Sequence, residues 1–275
     1  MTSPSNDAPK NIIAFTKASA CGNDFLIVED VDPSQDLSAL TRRLCDRHNG
    51  IGADGVEWLF PDSEADVRAR LINADGSDAE ISGNGTRCVA AQIYSRTTSK
   101  KEVIIRTGAG LKTCRLIRQQ GPTFEFEIDM GQPEVGERLT IATTTLRAEG
   151  VQVSMGNPHY VIFVDSFPEG WQQQAAHIQA QPHFPQGTNV EYVVVRSPSE
   201  IEIRLFERGA GETQSSGTGS CASAVTAIAS RRAVSPVTVI APGGPQTVRW
   251  HTEAGRNHVY LQGPATLVCR GEFFV

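Results

Sequence analysis

The residues best suited to chemistry in this 275-residue chain lie in two short segments, Ser82-Gly83-Asn84-Gly85 and Ser216-Gly217-Thr218-Gly219. Each precedes a run of small and apolar residues that reads as a helix, so each sets hydroxyls and free backbone N–H groups at a positive helix end. Such an end receives anions, carboxylates among them. A single segment of this kind is accounted for by a turn with an ordinary Ser, Asn or Thr cap. Two of them, 134 residues apart in a chain of 275, point instead to a duplication. Equivalent helix ends brought together by a pseudo-twofold would enclose one small carboxylate-bearing ligand, with Ser82 and Ser216 approaching from opposite sides.

The offset recurs elsewhere. Gly22-Asn23-Asp24 has its counterpart in Gly156-Asn157-Pro158, Asp54-Gly55 pairs with Thr188-Asn189, and Asn73 pairs with Glu207. Two other chemistries fit less well. Gly217-x-Gly219-x-x-Ala222 matches a dinucleotide-binding fingerprint, but that motif wants an acidic residue about 20 positions later. No Asp or Glu occurs between Glu212 and Glu253. Neither loop spells G-x-S-x-G, which sets aside a serine hydrolase. Six cysteines without a C-x-x-C pair argue against a zinc site and a disulfide scaffold, and read as mostly buried thiols.

The elements that must position these residues alternate short β-rich runs with helices. Strands are expected at 11–15, 25–28, 56–60, 67–73, 103–107 and 124–130, then at 151–155, 159–164, 190–195, 201–207, 237–240, 247–250 and 258–261. Helices are expected at 37–47, 85–94 and 219–230. The latter two are apolar on most faces, which suggests that each is wrapped by its own sheet. Twenty-five Lys and Arg against 31 Asp and Glu give a net charge of −6, so no basic field exists for a nucleic acid or an anionic membrane. The apolar stretches 190–195 and 221–229 are too short to span a bilayer. The first ten residues are polar and lack the pattern of a signal peptide, so a frayed tail in a cytoplasmic protein is expected.

Seven segments together resemble one family, the pyridoxal-independent diaminopimelate epimerases: FTKASACGNDFLIVED, CDRHNGIGADG, INADGSDAEISGNGTRCVA, VSMGNPHYVIFVD, FPQGTNVEYV, ERGAGETQSSGTGSCASA and PGG. They stand in the family's order and spacing across nearly the whole chain after the tail. The resemblance implies an α+β fold of two pseudo-symmetric lobes, each a mostly antiparallel sheet curled around a central helix, with the active site in the cleft between them. The first lobe would comprise residues 11–128 plus about 264–275, the second 129–263, with 1–10 a flexible tail. It also implies interconversion of LL- and meso-2,6-diaminopimelate by two-base α-proton transfer, with no cofactor, no metal and a homodimeric state.

Carried over residue by residue, the resemblance makes Ser82 and Ser216 the proton-transfer positions, supported by His159 and Glu207. Asn23, Asn73, Asn157, Asn189, Glu207 and Arg208 would hold the substrate's distal amino-acid end. Gly83-Asn84 and Gly217-Thr218 would hold the reacting α-carboxylate. Both proton-transfer residues are cysteines in the family and serines here. A thiol titrates near about 8.5, whereas an alkyl hydroxyl lies near water at about 15.7, so slow exchange is expected of the serines. Two other readings stay open: a family member that binds an amino acid without racemising it, and an isomerase of a different substrate on the same scaffold.

Overall fold

Short β-branched runs broken by Gly, Asn and Asp turns fold as strands, and the alanine-rich runs behind the two serine-glycine segments fold as helices. The computed structural model describes residues 12–29, 31–97, 100–143, 147–250 and 257–275; the expected tail, 1–10, lies outside the described residues. The fold is mostly β, with four helices among the described residues.

The chain begins with β1 (Ile12–Ala20), β2 (Asn23–Val28), α1 (Leu37–Cys45), β3 (Gly55–Phe60), β4 (Val67–Asn73) and β5 (Asp78–Ala79). It continues through α2 (Gly83–Tyr94), β6 (Glu102–Thr107), β7 (Gly110–Gln120) and β8 (Thr123–Gly131). The second half holds β9 (Glu134–Ala142), β10 (Arg147–Ser154), β11 (Pro158–Phe163), α3 (Trp171–Gln179), β12 (Asn189–Ser197), β13 (Glu200–Glu207) and β14 (Gly211–Thr213). It closes with α4 (Gly217–Ala229), β15 (Val237–Ala241), β16 (Gly244–Trp250) and β17 (Val259–Phe274).

The seventeen strands among the described residues hydrogen-bond into one mixed sheet. Its pairings repeat. Phe25 lies opposite Gly55 in the parallel pair β2–β3, and His159 opposite Asn189 in the parallel pair β11–β12, both partners shifted by 134 residues. The same shift carries Val56–Ile72 onto Val190–Phe206, Val67–Ile105 onto Ile201–Val239 and Val103–Cys114 onto Val237–Val248. β17 links the two sets, pairing with β16 and β8 through its first half and with β1 through its second.

Two helices anchor separate apolar cores. Around α2, Cys88, Val89, Ala90, Ala91 and Tyr94 pack with Phe25, Ile27, Leu71, Ile105 and Phe126. Around α4, Cys221, Ala222, Ala224, Val225 and Ala227 pack with Val161, Ile203, Leu205, Val239 and Val248. A fully buried Val, Leu, Ile or Phe contributes roughly 1.5–3 kcal/mol, so each helix is held by its sheet rather than by its own propensity. The small residues on every face let the strands close around the helix.

Several expectations shift. α1 ends at Cys45 rather than Arg47, because the Asp46 carboxylate accepts from the backbone N–H of His48 and Asn49 (both 2.8 Å) and starts a turn. α3 escaped the sequence reading because its WQQQAAHIQ run buries only Trp171, Ala175 and Ile178, a thin stripe. β7 and β9 are largely exposed and charged, so no apolar alternation marks them. β17 runs sixteen residues through Gly263 and Pro264, which read locally as a stop. All six cysteines are free; Cys269 alone is exposed.

Candidate active site

Ser82 and Ser216 each leave an extended strand conformation and cap a helix. Ser82 (φ −124°, ψ 122°) accepts from the Gly85 N–H at 3.1 Å, and Ser216 (φ −142°, ψ 129°) from the Gly219 N–H at 3.2 Å. The two helix ends meet. A Cβ built on Gly83 would lie 3.7 Å from Gly217 Cα, and one built on Gly217 would lie 3.7 Å from Gly83 Cα. The positive ends of α2 and α4 are therefore in near contact, with a serine cap flanking each.

Side chains tie the loops together. Asn84 donates to Asn23 Oδ1 at 2.7 Å and to Ser215 Oγ at 2.6 Å, crossing from one serine segment to the other. Its 134-shifted counterparts, Asn157 and Thr218, pair at 3.4 Å. Behind Asn23 stands Asp54, which accepts from Asn23 Nδ2 (3.1 Å) and is gripped by Arg47 (2.8 Å). Arg47 and Lys17 also hold Asp24, each at 2.8 Å. Burial works against ionised Asp24, but those two cations win and hold its carboxyl below the usual range.

On the other side, His159 is buried on β11 and bridges two groups. Its Nε2 lies 3.0 Å from Asn157 Oδ1, which can only accept, so Nε2 carries a hydrogen. Its Nδ1 lies 2.7 Å from Glu191 Oε1, within hydrogen-bond distance. Burial raises the Glu191 carboxyl, His159 lowers it and Glu207 raises it further, with a net upward shift. Asn189 donates to Pro158 O (3.0 Å) and accepts from the Arg208 backbone N–H (2.9 Å), which fixes both loops. The Arg208 guanidinium reaches Gln186 O at 3.0 Å, and Gly187, at φ 73°, makes room for its stem. Asn73 donates to Ser77 Oγ at 3.0 Å at the end of β4, and Glu207 closes β13. A cavity of about 630 Å³ opens beside Asn157, His159 and Thr188 and adjoins the site without including either serine.

The predicted site residues fall into three groups. Gly83, Asn84, Gly217, Thr218, Asn23, Asn157 and His159 gather around the two serines, while Asn189 and Arg208 bond to each other and to Pro158 O and Gln186 O beside that cluster. Asn73 and Glu207 occupy equivalent strand ends without a side-chain bond to that cluster among the described residues. Cys88 and Cys221 lie inside the helices, and burial pushes both thiols far up, so neither ionises near neutrality. Two carboxyls escaped the sequence reading, Glu57 and Glu191. The signal was present: Val56-Glu57-Trp58 and Val190-Glu191-Tyr192 place an acid inside apolar strands at the same offset.

Comparison with known proteins adds the family and the fold likeness. The family model described as diaminopimelate epimerase matches residues 15–135 and 151–268. A diaminopimelate epimerase of Pelotomaculum thermopropionicum is 40% identical over 94% of this chain and 98% of its own. One from Heliobacterium modesticaldum is 37% identical over the same shares. Among solved structures, a Bacillus anthracis phenazine biosynthesis protein of the PhzF family superposes with a TM-score of 0.75 at 15% identity, covering 96% of this chain and 99% of its own, a likeness of fold.

Proposed function

The chain belongs to the diaminopimelate epimerase family, and on that premise we propose that its two facing helix ends form the active site of an isomerase that interconverts LL- and meso-2,6-diaminopimelate. The substrate's α-carboxylate lies on the N–H groups of Gly83-Asn84 and Gly217-Thr218, where two helix dipoles converge. Ser82 and Ser216 then stand on opposite faces of the α-carbon. One removes the α-proton, and the other returns a proton to the far face. Asn23, Asn73, Asn157, Asn189, Glu207 and Arg208 hold the second amino-acid end, with polar groups suited to an ammonium and a carboxylate.

The observation that supports this reading is the close approach of Gly83 and Gly217, where a Cβ on either would lie 3.7 Å from the other's Cα. The repeated strand register and the separate cores on α2 and α4 support a division into two lobes, 11–128 with about 264–275 and 129–263. Incubation with diaminopimelate in D2O tests the function. Deuterium entering the α-position together with inversion is the expected result.

A second reading, binding without racemisation, draws on the serines themselves, because an alkyl hydroxyl used as a helix cap is a weak base. Calorimetric binding with no deuterium uptake is the outcome that favours it.

A further inference from the structure

Beneath each serine lies a buried glutamate. Glu57 sits within β3, whose six residues are all buried, and Glu191 holds the equivalent place on β12. Ile27 lies opposite Glu57 and Val161 opposite Glu191, so the register matches. A Cβ on Gly85 would collide with Glu57 Oε1 and would lie 3.3 Å from Ser82 Cβ. A Cβ on Gly219 would lie 3.0 Å from Glu191 Oε1 and 3.2 Å from Ser216 Cβ. Each carboxyl thus reaches the first turn of its helix beside its serine, through a gap that exists because the third residue after the serine is glycine.

A structural role covers these acids only in part, through the buried contact of Glu191 Oε1 with His159. Glu191 Oε2 is buried without a partner, and burial is the one influence that moves the Glu57 carboxyl. An unpaired buried polar group costs about 1–3 kcal/mol, which a Leu or Val in place of Glu191 would avoid. The two differ in one respect. Glu191 has His159, but the residue equivalent to His159 is Phe25, which offers no charge. Burial alone therefore pushes Glu57 up to about 8. An acid of that strength is populated in both forms near neutral pH, as a group that must both take and give a proton requires.

We propose that Glu57 and Glu191 are the proton reservoirs of the reaction: each turns from its place beside the first helical turn to hydrogen-bond its own serine, a contact absent from the structure as it stands, and exchanges a proton with the substrate's α-carbon through that hydroxyl. The proposal rests on the epimerase reading above. In one direction the Cα–H bond breaks and its proton goes to Ser82 Oγ while the Ser82 hydroxyl proton passes to the Glu57 carboxylate. The bonding pair stays on the α-carbon and its carboxylate. On the opposite face Ser216 gives its hydroxyl proton to that carbon and regains one from the Glu191–His159 pair. Each turnover leaves Glu57 protonated and the Glu191–His159 pair one proton short, and exchange with solvent resets both before the next turnover in the same direction. Neither hydroxyl has to exist as an alkoxide, which removes the main obstacle to serine at these positions. Acting through the hydroxyls, the glutamates are positioning residues for the proton.

The test uses the full chain, E57Q, and E57Q combined with S82C, each incubated in D2O with the LL and the meso substrate. E57Q is expected to leave deuterium exchange without inversion from one substrate, through the intact Ser216 side, and to lose both from the other. The loss should be about 10²- to 10⁴-fold, the usual contribution of general-base help. Adding S82C should restore inversion, because a thiol accepts the proton itself; a structural lesion would not be rescued this way. E57Q that epimerises at the parent rate, or that slows both substrates alike without rescue by S82C, overturns the relay alone. A parent chain that exchanges no α-hydrogen overturns the relay and the epimerase reading together.

Discussion

Glu57 and Glu191 stand at the same register position of two parallel strand pairs, yet only Glu191 faces a histidine, because Phe25 occupies the place that His159 takes on the other side. Both halves carry the carboxyl, and only the second sets an imidazole beside it. The two halves are thus chemically unequal: one offers a carboxyl raised by burial alone, the other a carboxyl in contact with an imidazole.

The lone carboxyl gives stability a pH dependence. Glu57 is raised from an ordinary 4.5 to about 8, so the folded chain binds its proton more tightly than the unfolded chain does. Its contribution is fully present below about 4.5 and is lost as pH rises through about 8. Glu57→Gln removes this loss. Urea unfolding should show the variant gaining on the parent between pH 5 and 8, by up to about 1.4 kcal/mol per pH unit. Equal slopes for the two chains would contradict the burial argument.

Restoring thiols should accelerate the chemistry. Ser82→Cys with Ser216→Cys is expected to raise epimerisation by orders of magnitude, since the relay offsets only part of the roughly seven-unit gap between thiol and hydroxyl. The single changes should fall well short of half the logarithmic gain, because each face needs its own acid-base group. Initial rates of α-deuterium exchange decide it. A double variant no faster than the parent would show that hydroxyls suffice here.

The same change should cost stability. Both serines accept a backbone N–H at their helix starts, and sulfur is a poorer acceptor. Each Ser→Cys change should destabilise by about 1 kcal/mol, the usual worth of an N-cap. Thermal unfolding measures this, and an unchanged midpoint in both single variants would mean that the caps contribute little.

Gly85 should be intolerant for a chemical reason. Gly85→Ala drives its methyl into the Glu57 carboxyl, which must move away from Ser82. Exchange should fall as in Glu57→Gln, and the two changes combined should add little more. Full additivity in that cycle would separate Gly85 from the carboxyl.

Ligand choice should depend on both ends of the substrate. The asparagines and Arg208 suit a second amino-acid head group, so alanine and proline should bind far more weakly than diaminopimelate. Calorimetry with the three ligands is the measurement, and comparable affinities would point to a different amino acid.

By itself the sequence determined the duplication, the two capped helices and most strands, because these depend on local patterns: a 134-residue offset, small residues behind Ser-Gly segments and alternating β-branched runs. It left α3, β7 and β9 unread, since thin or exposed stripes carry little apolar signal. Only the tertiary structure decided that Gly83 and Gly217 touch, that Asn84 reaches Ser215 across the site, and that Glu57 and Glu191 lie beneath the serines. Those relations join residues far apart in the chain. In the sequence Glu57 is one acid in an apolar strand; what makes it a proton reservoir is a glycine 28 residues later that leaves its carboxyl room beside Ser82.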